Sequence, residues 1–223
     1  MPTNQAFVID KNLGARWDEE EADLPTTNSV DLPVVSPSDE QKYLFDMRGW
    51  LLLPGILSAA ECTEMRAYCE QLHNNPESLP ESERSVIAGP LQELTDHPVV
   101  VGLMNEFVAY PGLSSQECYG FRQESASLVY REVGDGAFKP HNGNGMLRFP
   151  GDSHLYRCIP GKANSGLTRV VWELNPVTVG NGTLVITGSH KAVYPAPEVI
   201  RSPDSPIWDT YTCPEGSLLL FTE

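Results

Sequence analysis

Five histidines and thirty carboxylates are the groups in this 223-residue chain that could hold a metal ion or move a proton. On a β-strand, side chains at i and i+2 point to the same side, so His-x-Asp or His-x-Glu can put a nitrogen and a carboxylate oxygen on one metal. His141, preceded by Pro140 and set between two glycine-rich stretches, has Gly143 at that position. His154 has Asp152 two residues before it, and His73 has Glu77 four residues after it, but Pro76 interrupts the second pair. Neither pair lies in a convincing strand or helix. His97, just before Pro98, reads as a capping or surface residue. The five cysteines (62, 69, 118, 158 and 213) are odd in number and contain no Cys-x-x-Cys pair, so neither a disulfide framework nor a zinc site is expected.

The elements that would position these groups change character along the chain. Residues 1–37 carry the run Asp18-Glu19-Glu20-Glu21, several prolines and no sustained periodicity, and read as a flexible or loosely docked arm. A helix is expected to start near Ser36–Glu40, with acids in its first turn and Tyr43, Leu44 and Met47 on one face. Gly49-Trp50-Leu51-Leu52-Leu53-Pro54-Gly55 reads as a short buried strand closed by a turn. Ser58, followed three residues later by Glu61, is a capping box that opens a helix expected to end near His73–Pro76. A further helix is expected within 91–107. After Cys118 the texture turns to short β-type runs at 125–132, 167–174, 182–187 and 217–222. Between them lies a long glycine-rich stretch, 142–166, of the kind that is functional or mobile. Helices followed by spaced strands imply an α+β chain with a jelly-roll sandwich as its β part.

Two segments carry a family resemblance. Val179-Gly180-Asn181-Gly182-Thr183-Leu184-Val185-Ile186-Thr187-Gly188-Ser189-His190-Lys191 and the Gly49–Gly55 entry followed by a helix resemble the phytanoyl-CoA dioxygenase family. The resemblance covers about residues 40–223. It implies a double-stranded β-helix (jelly-roll, cupin-like) barrel with N-terminal helices, residues 38–223 forming a single oxygenase-like domain after the 1–37 arm. It further implies an Fe(II)- and 2-oxoglutarate-dependent dioxygenase that hydroxylates a small organic substrate, with His141 as an iron ligand. His190 belongs to the family's Gly-Ser-His-Lys motif without ligating metal, and is expected to be structural.

Such enzymes hold iron with two histidines and one carboxylate, leaving positions for co-substrate and O2. Because Gly143 replaces the family's Asp, three readings stay open. The carboxylate comes from Asp135, Asp152 or Glu223; or the site resembles halogenases in which a halide takes the carboxylate's place; or iron binds weakly or not at all. Pro214–Glu223 resembles the strand that precedes the family's second histidine. That histidine and the 2-oxoglutarate-binding Arg are expected beyond Glu223, so the sequence reads as C-terminally incomplete and inactive by itself. The competing reading is a jelly-roll ligand-binding module or pseudoenzyme without redox chemistry.

Composition narrows the alternatives. Fifteen basic against thirty acidic residues give a formal charge of −15, which disfavours phosphate-backbone binding because that affinity comes largely from Lys and Arg. No run approaches the roughly 18 apolar residues of a membrane span. The N-terminus lacks a secretory pattern, so a cytoplasmic location is expected and the formal sequon Asn181-Gly182-Thr183 is disregarded.

Overall fold

The hydrophobic strand Ser217–Thr222 organises the chain, and its leucines explain why. In the computed structural model, which describes residues 23–130, 138–141, 156–192, 194 and 196–223, Leu218, Leu219 and Leu220 are all fully buried. Burying each is worth about 1.5–3 kcal/mol. Only a central strand covered on both faces can bury three consecutive leucines, since neighbouring side chains point opposite ways.

In chain order the elements are α1 (Asp39–Arg48), β1 (Trp50–Leu53), α2 (Ala59–Asn74), α3 (Pro98–Phe107), β2 (Ser114–Ser115), β3 (Cys118–Tyr119), β4 (Tyr156–Ile159), β5 (Lys162–Ser165), β6 (Thr168–Glu173) and β7 (Ser217–Thr222). Short 3-10 turns join several of them. β7 lies between β1 and β6 in an antiparallel three-stranded sheet, with Leu51 opposite Leu220 and Val171 opposite Leu219. β2–β3 and β4–β5 are separate antiparallel hairpins.

One face of the main sheet, with Leu51, Leu53, Leu218 and Leu220, packs against Phe45 of α1 and Val100, Leu103, Met104 and Phe107 of α3. The opposite face gathers Leu219 with Val177, Tyr211 and Cys213, and Trp50, Leu52, Val171 and Phe221 lean on them. A third cluster joins Cys62, Met65, Tyr68 and Cys69 of α2 to Leu57, Leu79 and Leu91.

Local chemistry sets the helix ends. Ser38 with Gln41 and Ser58 with Glu61 form full capping boxes at α1 and α2. Pro98 occupies the first turn of α3, and the His97 side chain accepts a hydrogen bond from the Val99 N–H. The segment 23–37 docks on α3: Val35 N–H donates to the Pro98 carbonyl at 3.1 Å, and Asn105 Nδ2 donates to the Pro25 carbonyl at 3.1 Å. A side chain at Gly102 would place its Cβ 1.9 Å from the Val35 carbonyl oxygen, so glycine is what admits this close approach.

Three β-type runs come out differently from the sequence reading. Residues 182–187 form no ladder; they meet a neighbour through the single bridge Val185–Asp209. Two of their N–H groups are taken by side chains, Thr183 N donating to the Tyr211 hydroxyl and Thr187 N to the Asp209 carboxylate, while Val185 N–H donates to the Asp209 carbonyl within that bridge. Of the run read at 125–132, residues 131 and 132 lie outside the described residues, and 125–130 pair with no described strand; Tyr130 stacks on His73 with ring centroids 4.2 Å apart. Conversely, 142–166, read as a long loop, contains the β4–β5 hairpin, whose turn is Pro160-Gly161. The described residues form mixed helix and antiparallel sheet, and a closed barrel is not shown among them. All five cysteines are free, with Cys62, Cys69 and Cys213 buried. No described helix is long and apolar enough to cross a membrane.

Candidate functional site

Strand alternation and a pinned loop bring His141 to Glu223. On β6, Arg169, Val171 and Glu173 share a face, and they oppose Phe221, Leu219 and Ser217 of β7. Glu223 continues that alternation, and its N–H donates to the Leu167 carbonyl at 3.1 Å, extending the ladder by one step. Its side chain is 3% exposed.

His141 arrives from the other side. Phe138 meets the Trp208 ring edge-on at 5.3 Å, and Pro140 shares the walls of a small depression with Ala196, Pro197, Ile200 and Arg201. His141 Nδ1 donates to the Lys139 carbonyl at 2.8 Å, which leaves the Nε2 lone pair outward. Nε2 stands 4.0 Å from Glu223 Oε2. The second oxygen of the carboxylate, Oε1, accepts from Arg169 Nε at 2.6 Å.

Of the three carboxylates weighed for His141, Glu223 is thus beside it, while Asp135 and Asp152 lie outside the described residues, as do Gly143 and His154. Metal–nitrogen and metal–oxygen bonds of about 2 Å each set neighbouring donors about 3 Å apart, so the 4.0 Å pair reaches one ion after a small rotation of the His141 side chain, which is 62% exposed. No group of three or more His, Cys, Asp or Glu able to share a metal occurs among the described residues.

Further along the same sheet face, buried Tyr211 meets half-buried Glu173. The Tyr211 hydroxyl donates to Glu173 and accepts from Thr183 N–H at 3.2 Å. Burial, and then the acceptor Glu173, push the Tyr211 hydroxyl well above its ordinary value. Apolar Val171 and Leu219 separate this pair from the Arg169–Glu223 end.

His190 lies elsewhere and does structural duty. It is 8% exposed, its Nε2 donates to the Asp46 carbonyl at 3.1 Å, and its ring meets Tyr156 edge-on. The Asp46 carboxylate accepts from Tyr156 Oη at 2.7 Å and Lys191 Nζ at 2.8 Å. Burial alone would raise the Asp46 carboxyl, but these donors outweigh it and hold it below the usual value. Burial pushes the His190 imidazole down, which favours its neutral form. The cluster ties the Gly-Ser-His-Lys motif to the end of α1. Its Nδ1 packs against Gly49, which explains how two segments 140 residues apart belong to one structural unit.

His97 caps α3 and touches Trp172 edge-on, and His73 stacks on Tyr130. Arg169 is the site residue that sequence reasoning did not single out. Its signal was a lone basic residue immediately before the apolar run Val170-Val171-Trp172, on the alternation of β6 that faces Glu223.

A scan of protein-family models finds no match to the chain, and a comparison with curated proteins finds none either. Among solved structures the chain is similar to HygX from Streptomyces hygroscopicus. The apo form has a TM-score of 0.55 and 20% identity, over 85% of this chain and 78% of that one. The form with nickel and 2-oxoglutarate bound has a TM-score of 0.56 and 18% identity, over 84% and 78%. The form with nickel, 2-oxoglutarate and hygromycin B bound has a TM-score of 0.54 and 19% identity, over 83% and 78%. Likeness at this identity shows a shared fold.

Proposed function

We propose that this chain is a mononuclear non-haem iron, 2-oxoglutarate-dependent oxygenase that hydroxylates a small organic substrate, with His141 and Glu223 as two of its metal ligands. The observation that carries the proposal is the facing pair, His141 Nε2 and Glu223 Oε2, 4.0 Å apart at one end of the sheet. Support for the cofactors comes from the shared fold, since HygX has been solved with iron bound and with nickel and 2-oxoglutarate bound.

In this reading, residues 38–223 form one jelly-roll domain of the phytanoyl-CoA dioxygenase type, and the Arg169–Val171–Leu219–Phe221 face is its inner wall. When bound, iron with 2-oxoglutarate supplies the oxidising chemistry for C–H hydroxylation. The chain's own residues prepare for it. The Lys139 carbonyl fixes the His141 tautomer with Nε2 free to donate, Glu223 presents one carboxylate oxygen, and Leu219, Val171 and Phe221 line an apolar wall beside them. Nitrogen and carboxylate donors suit ferrous iron. The remaining donor lies outside this pair. Asp135 and Asp152, the other carboxylates weighed from the sequence, lie outside the described residues.

The test is anaerobic titration with Fe(II) and 2-oxoglutarate, watching for the metal-to-ligand charge-transfer band. The band is expected in the parent and lost in His141→Ala and in Glu223→Gln. A parent protein that binds small ligands but never develops the band would replace this reading with the binding-module alternative.

A further inference from the structure

We infer that Arg169 is a positioning residue for the metal centre: its guanidinium holds one oxygen of Glu223 so that the other is presented toward His141. The inference rests on the His141–Glu223 reading above and adds a residue to it.

The geometry divides the carboxylate between two partners. Arg169 Nε takes Oε1 at 2.6 Å, the short separation of a charge-assisted hydrogen bond, while Oε2 faces His141 at 4.0 Å. The Glu223 side chain is 3% exposed, so solvent is not its main partner; the Arg169 side chain is 49% exposed, so its charge is partly hydrated at low cost. A carboxylate this buried needs a directional donor to satisfy its oxygen and to keep one rotamer.

Strand geometry makes the contact rigid. Arg169 opposes Phe221 across the β6–β7 ladder, and Glu223 lies two residues beyond Phe221 on the same face. This is a diagonal cross-strand pair, within reach of long side chains. His141 has a matching support on its own side, the Lys139 carbonyl on Nδ1. Both proposed ligands therefore have their non-coordinating atom occupied by a second group, the arrangement that orients ligands at metal sites.

Arg169 offers no lone pair and touches no reacting atom, so its effect must pass through Glu223. The experiment is Co(II) binding to the full chain, followed by d–d absorption, with thermal melting of the metal-free protein as the fold control. Arg169→Met is expected to weaken Co(II) binding about 10- to 100-fold, while the apo protein still melts cooperatively, at a somewhat lower temperature because Glu223 loses its buried partner. Arg169→Lys keeps the charge but not the directional Nε–H, and is expected to fall between the two and to shift the absorption band.

Adding Arg169→Met to Glu223→Gln is expected to cost nothing further, because the residue through which Arg169 acts is already altered. Arg169→Met binding Co(II) as the parent does, or a fully additive double variant, overturns the positioning role. If His141→Ala and Glu223→Gln still lose the metal in that case, the underlying site survives. If both bind Co(II) like the parent, it is the His141–Glu223 reading that fails.

Discussion

Gly49→Ala tests whether the two family-like segments form one mechanical unit. Gly49 caps α1 in the left-handed region at φ +79, and its carbonyl accepts from Thr222 N–H at 2.9 Å, so it cannot relax without disturbing the β7 ladder. A β-carbon there would sit 2.4 Å from His190 Nδ1 and 2.8 Å from Cγ. Two costs follow. A non-glycine residue in the left-handed region loses about 1–2 kcal/mol. Forcing the packed imidazole aside adds about 1–3 kcal/mol of overpacking.

The single variant should therefore lose about 2–5 kcal/mol, measured by urea unfolding. In a His190→Ala background the ring is gone and only the backbone cost, about 1–2 kcal/mol, remains. The double variant should thus be more stable than the sum of the singles by about 1–3 kcal/mol. Agreement with simple additivity to within about 0.5 kcal/mol would refute the claim that His190 is what demands glycine at 49.

Two other outcomes follow from the same packing. Tyr211→Phe removes the donor to Glu173 and the acceptor for Thr183 N–H, and should lower stability by about 1–3 kcal/mol with the urea m-value unchanged. The pH dependence follows from His190 and His97, whose folded-state pKa values both lie below the ordinary 6.5 because burial disfavours the charged ring. The unfolded chain then binds more protons, so their contribution is present above pH 6.5 and is lost as pH falls below it. The urea midpoint should drop on acidification from that point, and His190→Ala should flatten the drop; a midpoint that rises would reverse the sign.

Much of the scaffold was legible because its signals are local. The Ser58–Glu61 box and the apolar run of β7 act through residues a few positions away, and each appears where the pattern put it, whereas the helix expected within 91–107 occupies only Pro98–Phe107, after a 3-10 turn at Gly89–Leu94. The failures share a cause. Residues 182–187 alternate like a strand, yet the Tyr211 hydroxyl and Asp209 carboxylate, more than twenty residues away, take N–H groups a ladder would have used. The run at 125–130 has β-type residues but no described neighbour edge, and β4–β5 were hidden in a glycine-rich stretch because their partners are each other rather than the main sheet.

The candidate site shows the same division. The sequence pointed to His141 through the family resemblance, and placed Glu223 among three carboxylates without ranking it above Asp135 or Asp152. Strand alternation could have put Arg169 and Glu223 on matching faces only once β6 was known to pair with β7, and nothing local encodes that register. The 4.0 Å approach of His141 to Glu223 depends further on Phe138 and Pro140 resting against a segment some sixty residues downstream. Residue chemistry and short-range caps are written in the chain itself. Which donors face one another is decided by long-range packing, because a metal-sized gap is a distance between elements and not a spacing in sequence.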